Sequence, residues 1–149
     1  MCAVCCLLGA HYAGAESSVV SSLERYGRHL GIAFQIADDL LDILGNERET
    51  GKSLGSDFAK QKLTLPLIRL IERSAETDAA RVRELLSIAD AGAWSQLLAY
   101  VLNSDAIEYS RAKAQHHAAS ARECLQILAH SPAKVMLAEI AEFATQRTY

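Results

Sequence analysis

Three aspartates lie close together in an otherwise apolar stretch: Asp38, Asp39 and Asp42 are separated by one, three and four positions. On a helix, side chains three or four positions apart have Cβ atoms about 5–6 Å from each other, so these like charges repel. Burying these carboxylates without a partner would destabilise the fold further or would force the carboxylates to become protonated. A hard divalent cation removes both penalties, and Mg²⁺ favours carboxylate oxygens combined with substrate phosphates and water. The spacing therefore predicts a magnesium site in which these three aspartates are the ligands.

A polar segment that follows the aspartates supplies positive charge. Lys52, Lys60 and Lys62 lie in this segment, and Gly51 and Gly55 provide flexible turns. Lysine carries a compact charge on a flexible stem, which suits the binding of phosphate. Taken alone, the lysines would indicate only a solvated loop. Beside a magnesium site, they predict that a diphosphate binds here.

The alternative interpretation of the aspartates is an exposed acidic patch near a helix end. Residues 17–44 are predicted to form one long helix, and the aspartates fall in its last two turns, where negative charge opposes the helix dipole. The remainder of this helix is apolar around most of its circumference, which predicts a central position in a bundle. Gly31 lies on the same face as the aspartates and would let a ligand approach the backbone. These features favour the metal site.

The elements that must position these residues are all predicted to be helical. Alanine and leucine are abundant, the 149 residues include only two prolines, and no segment alternates strictly between apolar and polar residues. Helices are predicted over residues 1–14, 17–44, 65–74, 78–89, 93–103, 105–130 and 132–148, with a loop over 47–63. The predicted architecture is an all-α bundle in a single domain.

Composition excludes several classes of protein. The formal net charge of −3 argues against a surface for nucleic acid or anionic membranes, since both require a basic patch. No apolar run is long enough to span a membrane. The apolar first residues lack the basic start of a signal peptide, so we expect a cytoplasmic protein. The four cysteines are too few for a disulfide scaffold and are expected to be small buried side chains.

The region around the aspartates resembles a known family. The motifs that carry the resemblance are Tyr26-Gly27, Gly31-x-Ala-Phe-Gln-Ile-x-Asp-Asp-Leu-Leu-Asp42, Gly51-Lys52-x-x-Gly55-x-Asp57 and Lys62-x-Thr-Leu-Pro-Leu-Ile68. They are similar to the second aspartate-rich region of the trans-isoprenyl diphosphate synthases, the polyprenyl synthetases. The resemblance implies the C-terminal portion of an isoprenoid-synthase helical bundle. It also implies the Mg²⁺-dependent condensation of isopentenyl diphosphate with an allylic diphosphate.

The resemblance also assigns roles to individual residues. It implies that the three aspartates, Asp38, Asp39 and Asp42, bind Mg²⁺ on the allylic diphosphate and are the catalytic residues. The residues that it places in contact with the diphosphate are Gln35, Lys52 and Lys62. Asp57 would support the loop and its lysines.

Members of this family are longer, so the resemblance implies that residues 1–149 are the C-terminal half of a polyprenyl synthetase domain. Two functions remain open. The chain is a prenyltransferase that is incomplete by itself, or it is a non-catalytic interaction or regulatory subunit that keeps the helical shell. A half bundle would expose apolar helix faces, which predicts a homo-oligomer or association with a synthase partner. A relative that cyclises diphosphates or couples them head-to-head fits the lysine-bearing loop less well.

Overall fold

The structure of the protein is a computed structural model that describes residues 1–45 and 54–146. The helices are α1 (Cys2–Tyr12), α2 (Ser17–Leu44), α3 (Ser56–Ala59), α4 (Leu65–Arg73), α5 (Glu76–Ile88), α6 (Ala91–Leu102), α7 (Ala106–Cys124) and α8 (Pro132–Phe143), with a 3-10 turn at Leu125–Ile127. No strand occurs in these residues, so the predicted all-α class is confirmed. Within the same residues, no helix combines the length and the apolar character that a membrane crossing requires.

Three of the predicted boundaries are wrong. The predicted helix over 132–148 ends at Phe143. The predicted loop over 47–63 contains the short helix α3, and residues 46–53 lie outside the described residues. The predicted helix over 105–130 ends at Cys124, and Leu128 and Ser131 have extended backbone. Pro132 starts α8 and disfavours a helical conformation at the residue before it. The side chain of Ser131 accepts a hydrogen bond from the backbone N–H of Lys134, which caps α8.

The described chain divides into two compact units, the first of which comprises residues 1–37 and 113–146. A buried cluster in this unit is formed by Tyr26, Ala121, Leu125 and Ala141. Polar side chains of α2 find partners here: the Tyr26 hydroxyl donates to the carbonyl of Leu137 and the Ser22 hydroxyl donates to that of Cys124, each at 2.8 Å. Burial raises the pKa of Tyr26 to about 12. These bonds satisfy polar groups that would otherwise be costly to bury.

Helix α1 approaches the backbone of α2 closely in the first unit. A Cβ atom added at Gly27 would lie 2.5 Å from the carbonyl oxygen of Cys2, so only glycine fits there. A Cβ atom at Gly31 would lie 3.5 Å from the Cβ and Sγ atoms of Cys2, an ordinary van der Waals distance. The prediction that Gly31 leaves room for a ligand is therefore wrong, because Cys2 lies beside it.

Two further expectations about the first unit are corrected. Cys2 and Cys5 are exposed and only Cys6 and Cys124 are partly buried, so the cysteines are not the buried side chains that were expected. Helix α2 is not covered around its circumference, because the side chains of Ile32 and Phe34 are about two-fifths exposed (39% and 43%).

The second unit comprises residues 38–45 and 54–112. The buried members of its core are Ile43, Phe58, Leu67, Leu70, Val82, Leu85, Ala93, Leu97, Val101 and Ala106. Gly55, which precedes α3, has φ of 72°, and a Cβ atom there would lie 2.9 Å from the ring of Trp94. Phe58 of α3 packs on the same ring, with 5.4 Å between the ring centroids. Helix α3 is therefore anchored on α6 through Trp94.

The two glycines of α2 provide a matched test of the contact with α1. We expect Gly27→Ala to destabilise the protein by about 1–3 kcal/mol, because the new methyl group meets backbone atoms that cannot move independently. Gly31→Ala should be neutral or stabilise by up to about 1 kcal/mol, since alanine favours helix and the space is sufficient. Urea denaturation followed by circular dichroism measures both changes. Equal stability of the two variants would contradict the described packing of α1.

Candidate functional site

The carboxylate of Asp42, in the last turn of α2, caps the N-terminus of α3. Its Oδ1 atom accepts hydrogen bonds from the backbone N–H of Ser56 at 3.1 Å and from the Ser56 hydroxyl at 2.8 Å. Its Oδ2 atom accepts from the backbone N–H of Asp57 at 3.0 Å. The backbone N–H of Gly55 also donates to the Asp42 carbonyl, at 2.9 Å. The first N–H groups of a helix lack partners within it, so this carboxylate stabilises α3 from outside.

Lys62 lies between two carboxylates. Its Nζ atom is 3.1 Å from Oδ1 of Asp39 and 3.0 Å from Oδ2 of Asp57. The hydrogen bond donated to Asp57 is the main cause that raises the pKa of the Lys62 ammonium group, and the bond to Asp39 adds to it. The Asp39 side chain is 8% exposed, whereas that of Lys62 is 45% exposed. The lysine therefore neutralises a buried charge and still reaches solvent.

The remaining predicted site residues differ in their positions. Asp38 is half-buried and Gln35 is exposed, both on α2. Lys52, predicted to contact the diphosphate, lies outside the described residues. A shallow cavity of about 430 Å³ lies between α4, α5 and α6, and none of the predicted site residues lines it.

The donor set can be compared with the requirements of Mg²⁺. Within residues 1–45 and 54–146, no three His, Cys, Asp or Glu side chains converge as a metal site. The reason is that Asp42 faces α3 and Asp39 faces Lys62. Asp38 and Asp39 nevertheless offer the type of donor that this ion takes, because Mg²⁺ uses one or two carboxylates and obtains its other ligands from phosphate and water. The assignment of all three aspartates as ligands stays a prediction.

Sequence reasoning missed two hydroxyl groups in this region. The Ser56 hydroxyl donates to the Asp42 carboxylate, and no local pattern signals this contact, because it depends on α3 lying beside the last turn of α2. Thr64 is 5% exposed, and within the described residues its hydroxyl oxygen has no hydrogen-bond partner. Nothing in the sequence around Thr64 signals that property.

The fold and this aspartate–lysine network agree with what is found among known proteins. Residues 1–104 match the family model described as polyprenyl synthetase, and the chain belongs to this family of prenyltransferases. The predicted family and the isoprenoid-synthase bundle are thereby confirmed.

Three relatives illustrate the similarity. The short chain isoprenyl diphosphate synthase of Methanothermobacter thermautotrophicus is 37% identical over 141 residues, which is 95% of this chain and 43% of that protein. Heptaprenyl diphosphate synthase component 2 of Geobacillus stearothermophilus is 32% identical over 99% of this chain and 45% of that protein. The crystal structure of the Caulobacter crescentus polyprenyl synthase, complexed with calcium and isoprenyl diphosphate, matches with a TM-score of 0.88 and 30% identity over 98% of this chain and 45% of that one. The chain spans less than half the length of these relatives.

The cap on α3 can be tested by removing its acceptor. We expect Asp42→Ala to destabilise the protein by about 1–2 kcal/mol, as the loss of a helix cap does. Amide hydrogen exchange should become faster at Ser56 and Asp57, which lose their acceptor. Asp78→Ala, which removes an acidic side chain in the first turn of α5, is the control and should leave exchange at both amides unchanged. Unaltered protection of Ser56 and Asp57 in the Asp42 variant would contradict the cap.

Proposed function

We propose that this chain supplies one diphosphate-binding half of a Mg²⁺-dependent prenyltransferase that condenses isopentenyl diphosphate with an allylic diphosphate. In this reaction the allylic carbon–oxygen bond breaks, a carbon–carbon bond forms to isopentenyl diphosphate, and a proton is lost. The observation that carries the proposal is the position of Lys62, held between Asp39 and Asp57 with its ammonium group partly open to solvent.

The described side chains would have different roles in binding the leaving diphosphate. Lys62 would donate from Nζ to a phosphate oxygen, and Asp57 and Asp39 keep that atom in place. Asp42 holds α3, and with it Asp57, through its hydrogen bonds. Gln35 and Lys52 are proposed as further contacts of the diphosphate. Fixed positive charge of this kind stabilises the negative charge that develops on the leaving group.

Asp38 and Asp39 are the residues that would hold Mg²⁺, and Asp42 would join them only by giving up hydrogen bonds to α3. When bound, the ion supplies charge neutralisation on the diphosphate. The Caulobacter crescentus relative supports this proposal, since it was crystallised with a divalent cation and an isoprenyl diphosphate. We also propose a cytoplasmic location and a single incomplete domain over residues 1–149.

Calorimetric titration with geranyl diphosphate and MgCl₂ tests the site. We expect Lys62→Met to weaken binding about 10- to 100-fold, the loss typical of a hydrogen bond to a charged group. Lys60→Met is the matched control. Lys60 lies in the same lysine-bearing segment, but it is exposed and is not among the residues proposed to contact the diphosphate, so the affinity of this variant should stay within about twofold of the wild type. Asp38→Asn should weaken binding only when Mg²⁺ is present. Equal affinities for the Lys62 and Lys60 variants would refute the assignment of Lys62.

A second candidate function is a non-catalytic interaction or regulatory subunit. The observation that favours it is the number of large apolar side chains that are exposed. On α1 and α8 they are Val4, Leu8, Tyr12, Val135, Met136, Ile140 and Phe143. Such surfaces favour association with a second copy or with a longer synthase. The Geobacillus stearothermophilus relative, named as component 2 of a synthase, supports the idea of a partner subunit.

An activity assay separates the two candidates. The chain is incubated with both diphosphates and Mg²⁺ alone, with a longer synthase of the same family in which the equivalent site has been inactivated, and with the intact longer synthase. Turnover by the chain alone, or turnover restored to the inactivated synthase, supports the prenyltransferase. A change in the turnover of the intact synthase without any rescue of the inactivated one supports the non-catalytic subunit, and light scattering should then show a complex of the two chains.

A further inference from the structure

Two histidines face each other in the first unit. His29 of α2 and His117 of α7 are 88 positions apart in the sequence, yet their Nδ1 atoms are 2.9 Å apart and their ring centroids 5.2 Å apart. Both side chains are half-buried. The distance is that of an N–H···N hydrogen bond, so one Nδ1 atom carries a proton and donates while the other accepts.

This geometry sets a limit on how many protons the pair can carry. With no excess proton or with one, a single hydrogen lies between the two Nδ1 atoms and the bond is kept. When both rings are protonated, two N–H groups point at each other and two positive charges lie at hydrogen-bond distance. The pair therefore accepts a first proton and resists a second.

We propose that the His29–His117 pair is a pH-sensitive clasp, which joins α2 to α7 while the pair carries at most one proton and opens when both rings are charged. The inference is independent of the proposed function, since neither ring belongs to the aspartate–lysine network. Its chemistry is that of histidine, whose ordinary pKa allows its charge to change between pH 5 and 8.

The charged groups around His117 also disfavour a second proton on the pair. Within the described residues, the groups that act on His117 are His29 from α2, and His116 and Lys113 from α7 itself. Burial is the largest cause that lowers the pKa of His117, and the positive charges of these three neighbours add to it. No acidic group is among these neighbours of His117 to favour its charged form. Each of them therefore disfavours a proton on His117 when His29 already carries one.

The lowered pKa of His117 determines how the stability of the folded protein changes with pH. The pKa of His117 is lower in the folded protein than in the unfolded chain, so the unfolded chain binds more protons as the pH falls. The neutral form of His117 therefore stabilises the folded protein fully at pH values above the pKa of this residue in the unfolded chain. This stabilisation is lost as the pH falls toward the pKa of His117 in the folded protein, and no more is lost at lower pH. For each pKa unit between the two values, the ratio of unfolded to folded protein rises about tenfold.

Denaturation of the full chain between pH 7.5 and 5.0 tests the clasp. Asparagine retains a polar atom near the position of Nδ1 but does not titrate. In the wild type, acidification should raise the ratio of unfolded to folded protein. We expect His29→Asn and His117→Asn each to make this rise smaller, by about tenfold for each pKa unit by which the clasp lowers the pKa of His117 on folding. His130→Asn, which alters an exposed histidine of the same unit, should show the wild-type dependence. A wild-type dependence in both pair variants would overturn the proposal.

Nitrogen NMR of the labelled wild-type chain gives a second readout that does not depend on the stability of any variant. At pH 7.5 we expect one of the two rings to carry a proton on Nδ1 and the other to lack it. On acidification, the pair should take up its second proton below the ordinary pKa of histidine, about 6.5. Two rings that both lack a proton on Nδ1 at pH 7.5, or that both titrate at that ordinary pKa, would overturn the clasp.

Discussion

The second unit depends on the way a buried negative charge is compensated. Asp39 lies in the core-facing part of α2, and an unpaired carboxylate in such a position would be strongly destabilising. Lys62 provides the compensating charge at 3.1 Å, but a lysine side chain is flexible and must be held. Asp57 holds it, and the Asp42 carboxylate holds the backbone of Asp57. The contacts therefore run from α2 through α3 to Lys62 and back to α2, which gives the segment a defined conformation.

The same principle organises the first unit. Ser22, Tyr26 and His29, all on α2, find hydrogen-bond partners 102, 111 and 88 positions away. Each bond satisfies a polar group that is partly or fully removed from water, so each ties α2 to the C-terminal helices of the unit. Gly27 adds a steric constraint, because only a residue without a side chain lets α1 approach. The polar and small residues of α2, as well as its apolar ones, therefore determine which helices pack against it.

Much of the fold could be predicted from local signals. The bounds of α2, Ser17–Leu44, agree with the prediction, because a serine-rich start and a Gly-Asn end are strong signals. The short helix α3 could not be predicted, since four residues are too few to form a helix without a cap from elsewhere. That cap comes from Asp42, whose side chain was interpreted only as a metal ligand. The end of α7 at Cys124 was missed because residues 125–130 carry no glycine or proline.

The sequence by itself determined the helical class, the family and the residues that carry charge near the end of α2. The family followed from the resemblance of the motifs around the aspartates. Helical spacing was sufficient to place the charged residues near one another, because positions along one helix follow from its period. Only the tertiary structure decided that Asp42 faces α3, that Lys62 lies between Asp39 and Asp57, and that His29 meets His117. The partner of a polar side chain depends on which distant segments the core brings together, and no local pattern encodes that choice.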